Sequence, residues 1–331
     1  MEFGFNINFL TNVNYVKNIE DVAPLISSGD LFLVDSVLES RFFFDKENCF
    51  FVNGERDKTL DSSVKIIDWL ISKNCSRTTV LWGVGGGAVT DLAGFCGSVY
   101  KRGLRVCLIP TTILAAVDSC FGGKNGVNAS AKNVVGTFYP AERIVVIKEI
   151  LDTLPDEEKR NGACEILKVA LLDGGSFYDF LSQSADIYGE KSLMQALTVK
   201  YRFIKDDLLD KSGTRILLNF GHTIGHALER FFGLSHGKAV AYGMIMEQMI
   251  AEKKGLKIYS TVLIKDLLEK YSITLDRTDE FWNNSGWLEF VGHDKKIDGG
   301  ELSMVYLEGL GAGRILKIKL NEFKYLMEEM L

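Results

Sequence analysis

The chain has 331 residues, enough for one large domain or two ordinary ones with substantial cores. It is 47% hydrophobic and 25% charged with a formal net charge of −6, which suits a globular enzyme and lacks the basic excess that nucleic acid or an anionic membrane would require. The opening MEFGFNINFL lacks the pattern of a secretory signal, no run of about 18 apolar residues offers a membrane span, and six scattered cysteines without a CxxC pair predict reduced thiols and a cytoplasmic protein.

Along the chain, Leu31–Val34 predicts a strand ending at Asp35, and Cys49–Val52 a second ending near Gly54. Val64–Ser72 has apolar residues at helical spacing. Thr79–Trp82 reads as a buried strand, followed by the glycine turn Gly83–Gly87 and a helix; Arg105–Ile109 is a further strand, stopped by Pro110. Such alternation predicts a Rossmann-like α/β domain, a parallel sheet covered by helices. From about Leu151 the segments turn long and helical: Glu157–Leu172, Ser192–Leu209, His222–Phe232 and Ala239–Lys254. We therefore expect an α/β domain over residues 1–150 and a mainly α-helical domain over 151–331.

Gly83-Val84-Gly85-Gly86-Gly87-Ala88 fits G-x-G-x-x-G/A between a predicted strand and a predicted helix. Glycines there let the backbone approach a pyrophosphate at a helix N-terminus, or simply let strand and helix pack closely. The usual fingerprint also has an acid about 20 residues later, on the second strand. Here the next strand ends in Pro110, and the acids that end strands come earlier, at Asp35 and Glu55. A dinucleotide would bind in a variant of the usual scheme.

Three of the four histidines, His222, His226 and His236, fall within fifteen residues of one another. His222 and His226 are i, i+4 on a predicted helix and share a face. Thr223 replaces the glutamate of HExxH, so the protease reading fails. The cluster suggests a metal or acid–base site, and a catalytic zinc takes three protein ligands. Glu165 is a candidate third ligand; the alternative is a glutamate at a helix edge. Lys168, three residues on, shares its face and makes either a polar site or an ion pair.

Gly85–Val99 reads GGGAVTDLAGFCGSV, and Pro110–Asn128 reads PTTILAAVDSCFGGKNGVN, followed by Lys132-Asn133. Asn219–Glu229 reads NFGHTIGHALE ahead of Ser235-His236-Gly237, and the tail carries Asp294-Lys295-Lys296. In this order the blocks resemble the 3-dehydroquinate synthase family of sugar-phosphate cyclases, across roughly residues 30 to 310. The resemblance implies zinc (or cobalt) on Glu165, His222 and His236. It implies NAD contacts at Asp35, Glu55, Lys58, Gly85, Gly86, Gly87, Asp91, Thr111, Thr112, Asp118, Lys124, Lys132, Thr153 and Glu158. Substrate-binding or catalytic positions would be Lys124, Asn133, Lys168, Lys205, Arg215, Asn219, His226 and one of Lys295 and Lys296, with Arg102 lent across a homodimer to the substrate phosphate. The implied reaction converts 3-deoxy-D-arabino-heptulosonate 7-phosphate to 3-dehydroquinate and phosphate in the shikimate pathway of aromatic amino acid biosynthesis, with NAD regenerated. His226 would relay protons and the lysines would hold the substrate's anionic groups.

The chain departs from the family pattern at Lys211, where a glutamate is usual, in a shortened Lys205–Arg215 segment, at Asn125 for threonine, and at Tyr139-Pro140, which lacks a usual glutamine. These positions leave open another cyclase of the superfamily. A metal- and NAD-dependent polyol dehydrogenase, which resembles this fold, is the other enzyme reading.

Overall fold

The computed structural model describes residues 9–41, 45–211, 213–276, 284–291, 297–298 and 301–330. The chain divides into two compact units, Met1–Pro155 and Asp156–Leu331.

In the first unit, β1 (Asn12–Val16), β2 (Leu31–Asp35), β3 (Cys49–Val52), β4 (Val80–Gly85), β5 (Arg105–Pro110) and a later strand at Arg143–Ile147 form one sheet. Helix α1 (Leu60–Ser72) precedes β4, and α2 (Gly87–Val99) follows it. The Thr59 hydroxyl accepts the Ser62 amide and starts α1. A small antiparallel hairpin, β6 (Lys124–Val127) and β7 (Val135–Phe138), leads to β8 (Arg143–Ile147) and α3 (Lys148–Asp152). The large sheet is parallel throughout, in the order β1-β8-β5-β4-β2-β3. Phe32, Val34, Trp82, Val84, Cys107, Ile109, Val145 and Ile147 alternate onto one buried face. Leu33, Leu81 and Leu108 are buried in the alternate register, so both faces are covered, as a parallel sheet requires. Because the strands are parallel, their carboxyl ends share one edge.

In the second unit, α4 (Asp156–Asp173) is buried along Asn161–Leu172 and forms the central helix. Around it come α5 (Ser176–Gln183), α6 (Glu190–Ile204), α7 (His222–Phe232), α8 (His236–Lys253) and α9 (Thr261–Lys270). The chain closes with β9 (Ile297–Asp298), β10 (Glu301–Gly309), β11 (Ala312–Lys319) and α10 (Leu320–Glu328). One core joins Ile224, Leu228, Tyr242, Met246, Leu302 and Phe323 from α7, α8, β10 and α10.

Three sequence expectations need adjustment here. The helix expected over Ser192–Leu209 stops at Ile204, because the buried Asp207 carboxylate gathers the amides of Lys211, Gly213 and Arg215 at 2.6, 3.2 and 3.4 Å and turns the chain. The helix expected from Ala239 begins one turn earlier, at His236. The second unit also contains a three-stranded antiparallel sheet, β11-β10-β9, that apolar helical spacing did not predict.

Candidate functional site

A group that could hold a metal ion is built on three helices of the second unit. Glu165 comes from the buried middle of α4, His222 opens α7 and His236 opens α8. Helices α7 and α8 approach to backbone contact: a Cβ on Gly243 would stand 1.9 Å from Gly221 O, and one on Gly225 would stand 2.9 Å from Ala239 O. These glycines therefore bring the two helix starts, and their histidines, together. The ligand atoms of Glu165, His222 and His236 lie within 4.8 Å of one another. Glu165 Oε1 is 3.5 Å from both His222 Nε2 and His236 Nε2.

The surroundings orient each ligand. His222 Nδ1 is 3.2 Å from Phe220 O, an acceptor, so the proton belongs on Nδ1 and Nε2 faces the site. His236 Nδ1 is 3.0 Å from Glu229 Oε2, which fixes that ring in the same sense. Lys168 Nζ lies 2.5 Å from Glu165 Oε2. Burial opposes a charge on Glu165, but the Lys168 ammonium and the His236 imidazole outweigh it and hold the carboxyl at about 2. Burial likewise opposes the His236 imidazolium, and the carboxylates of Glu165 and Glu229 outweigh it, raising the ring to about 9. Glu165 Oε1 itself is buried without a hydrogen-bond partner. A lone buried carboxylate oxygen facing two imidazole nitrogens fits a divalent ion, and two nitrogens with one oxygen is the donor set of an open catalytic site.

At the carboxyl edge of the parallel sheet, Asp35 ends β2 beside Val52 of β3, and Gly85 ends β4 beside Pro110 of β5. Thr111 donates its amide to Gly85 O at 2.9 Å. The glycines divide their work. A Cβ on Gly83 would meet Ala93 Cβ at 2.6 Å and one on Gly85 would meet Val89 Cβ at 2.7 Å, so these two serve strand–helix packing. Gly86 is different: its Cβ would meet only the Thr112 side chain, at 3.5 Å. Gly86 brings no side chain of its own to cap α2, which leaves a backbone cradle suited to a pyrophosphate. Ser119 Oγ, 2.9 Å from where a Gly87 Cβ would stand, is buried without a hydrogen-bond partner.

Farther along the edge, buried Lys58 pairs with Asp91 at 2.6 Å. Burial pushes the Asp91 carboxyl up to about 6 in spite of that partner, and nearby Asp118 adds to the rise. Burial also raises Asp35, against the pull of the Val37 amide. Exposed Glu55 accepts from Asn128 Nδ2 at 3.0 Å. Thr153 accepts from Arg41 Nη1 at 3.0 Å, while Glu158 is exposed on the first turn of α4 in the second unit.

The proposed substrate groups are more dispersed. His226 is exposed, with its ring 5.2 Å from that of His222 and 6.2 Å from that of His236. Arg215 is buried and donates to Leu208 O at 2.8 Å, and Asn219 ends the same 3-10 turn. Lys205 is exposed and 3.8 Å from Asp206. In the first unit, Lys124 and Lys132 are exposed, and Asn133 has a left-handed backbone with φ of 53° and takes its place from the Asn128 side chain. Lys101 and Arg102 are consecutive left-handed residues, with φ of 47° and 65°. Lys295 and Lys296 lie outside the described residues.

Two features were missed in the sequence. Glu229 bonds the His236 ring across a gap of seven residues, and the α8 residue Glu247 bonds backbone amides at the start of α7 across more than twenty. Asn125, a departure from the family pattern, is structural: its amide donates to Tyr139 O at 2.9 Å and fills the space above Gly94.

Comparison with known proteins agrees with this architecture. The structure superposes on 2-deoxy-scyllo-inosose synthase, determined with carbaglucose-6-phosphate, NAD+ and Co2+, at a TM-score of 0.81 and 24% identity over 96% of each chain. It superposes equally on 2-epi-5-epi-valiolone synthase from Streptomyces hygroscopicus subsp. jinggangensis, determined with NAD+ and Zn2+, at a TM-score of 0.81 and 21% identity over 100% of this chain and 99% of that one. The fold is thus that of the sugar-phosphate cyclases. The family profiles of the 3-dehydroquinate synthase N-terminal and C-terminal regions match residues 48–161 and 162–297. The 3-dehydroquinate synthase of Streptococcus sanguinis is 36% identical over 87% of this chain and 82% of its own length, and that of Streptococcus pneumoniae is 37% identical over 83% and 79%. The chain belongs to the 3-dehydroquinate synthase family of enzymes.

Proposed function

We propose that this chain converts 3-deoxy-D-arabino-heptulosonate 7-phosphate to 3-dehydroquinate and phosphate, with NAD held at the sheet edge and a divalent ion at Glu165, His222 and His236. The observation that carries this reading is the buried Glu165 oxygen facing two imidazole nitrogens at 3.5 Å inside a chain of this family. When bound, the ion supplies Lewis acidity toward substrate oxygens and NAD takes up and returns a hydride, so neither is consumed.

The chain's own residues supply binding, orientation and proton transfer. The Gly86 cradle and the first turn of α2 receive the pyrophosphate, while Asp35 accepts from ribose hydroxyls at the end of β2. Thr111 and Thr112 line the neighbouring strand end. Lys168 neutralises Glu165 and offers its remaining donors to the substrate. Arg215 and Lys205 are the second unit's cations for the substrate's anionic groups, Lys124 and Asn133 are the first unit's donors for such groups, and Arg102, held in a strained turn, is lent to the phosphate across a homodimer. Exposed His226, stacked edge-on against His222, carries protons to and from the reacting carbons. The reaction is assigned to the cytoplasm, where six free cysteines remain reduced.

Product identification tests the reading. The chain, NAD and zinc are incubated with the heptulosonate phosphate and, separately, with six-carbon and seven-carbon sugar phosphates. Mass spectrometry should find 3-dehydroquinate from the first substrate alone. Carbocycles from another sugar phosphate would move the chain to another cyclase activity, and accumulating NADH with a simple polyol would make it a dehydrogenase.

A further inference from the structure

The glycines that allow α7 and α8 to touch also deprive α7 of a cap of its own. Gly221 occupies the N-cap with φ of 80° and has no side chain to accept the first-turn amides. A Cβ there would stand 2.5 Å from Val240 O, so a serine or aspartate cap cannot take its place. The acceptor comes from the neighbouring helix. Glu247, 1% exposed on α8, receives the Gly221 amide on Oε2 at 2.9 Å. Its Oε1 receives the Thr223 and Ile224 amides at 3.1 and 3.3 Å. These three amides bracket His222. The positive end of α7 further favours a carboxylate at this point.

We infer that Glu247 is a positioning residue for the metal centre: it locks the first turn of α7 and thereby aims the His222 imidazole at Glu165 and His236. The inference rests on the metal-site reading above and deepens it. Glu247 follows His236 by eleven residues on α8, about three helical turns, so the two side chains share a face. One helix thus supplies one ligand directly and the aim of another through backbone hydrogen bonds. Both carboxylate oxygens are used, so an amide is no substitute. The NH2 of glutamine would point a donor at a donor, and aspartate is one methylene too short.

The test compares Glu247→Gln and Glu247→Asp with Gln248→Leu, a control on the adjacent buried residue, whose side chain bonds Tyr259 O and Leu307. Each full-length protein is stripped of metal and titrated with zinc, and the visible spectrum of its cobalt form is recorded below its melting temperature. E247Q should bind zinc about ten- to a hundredfold more weakly, with displaced cobalt bands. E247D should shift both in the same direction, and it carries the comparison should E247Q not accumulate as folded protein. Q248L should lower the melting temperature while leaving zinc affinity and the cobalt bands as in the wild type. Unchanged affinity and bands in the Glu247 variants would overturn the inference alone, as would equal changes in Q248L. A wild-type chain that binds neither metal would overturn the metal reading beneath it.

Discussion

Lys168 sets its ammonium 2.5 Å from Glu165 Oε2, one turn along the same buried helix. Both side chains are 2% exposed, so each charge depends on the other. Replacing Lys168 by methionine leaves a buried carboxylate with the His236 and His222 imidazoles beside it. Breaking such a pair costs roughly 3–5 kcal/mol, and the remaining imidazolium places the loss near the lower end. Denaturant unfolding of the metal-free protein should show K168M less stable by about 3 kcal/mol, with zinc restoring part of the difference.

The same cluster sets a pH window for the metal-free chain. The His236 ring is raised from 6.5 to about 9, so its contribution is complete below 6.5 and is lost as pH rises through about 9. The Glu165 carboxyl is lowered from 4.5 to about 2, so its contribution is complete above 4.5 and is lost as pH falls through about 2. Chelator-treated protein should therefore show this contribution in full between pH 4.5 and 6.5. Zinc takes the proton's place on His236 and should flatten the alkaline decline, as melting curves at pH 6 and pH 9 would show.

Gly243 should be intolerant of even one methyl group. Its Cβ would lie 1.9 Å from the backbone oxygen of Gly221, the N-cap of α7, which cannot rotate away. Gly243→Ala must separate α7 from α8 and carry His222 away from Glu165. We expect a loss of about 1–3 kcal/mol in stability, together with weakened zinc binding, measured by unfolding and by metal titration.

The glycines between β4 and α2 should respond in opposite ways. Gly86→Ala finds only Thr112, at an ordinary contact distance, and should melt like the wild type. Its methyl group fills the cradle, so NAD should bind more than about tenfold more weakly. Gly83→Ala collides with Ala93 and should lower the melting temperature. Calorimetry with NAD, paired with thermal melts, separates the two effects.

The apolar strands Leu31–Val34 and Thr79–Trp82 were legible because both faces of a parallel sheet are buried, giving continuous hydrophobic runs. His222 and His226 were legible because four residues return a helix to the same face. Strand β10, ELSMVYLEG, was not read: its burial alternates imperfectly and leaves no clean period of two. Asp207 ended a helix that local propensity would have continued through Leu209, because its carboxylate competes for downstream amides. Glu247 lies in the apolar run MIMEQM, and the amides it serves are 23 to 26 residues away, beyond the reach of any local pattern.

The most direct measurement is the return of activity with metal. The chain is freed of metal with a chelator, supplied with NAD and the heptulosonate phosphate, and titrated with zinc while bound zinc and released phosphate are followed together. Phosphate release should be absent without metal and rise linearly to a plateau at one zinc per chain, with no net NADH. Full phosphate release from the metal-free chain, or an undiminished zinc site after His222→Ala, would contradict the metal-site reading.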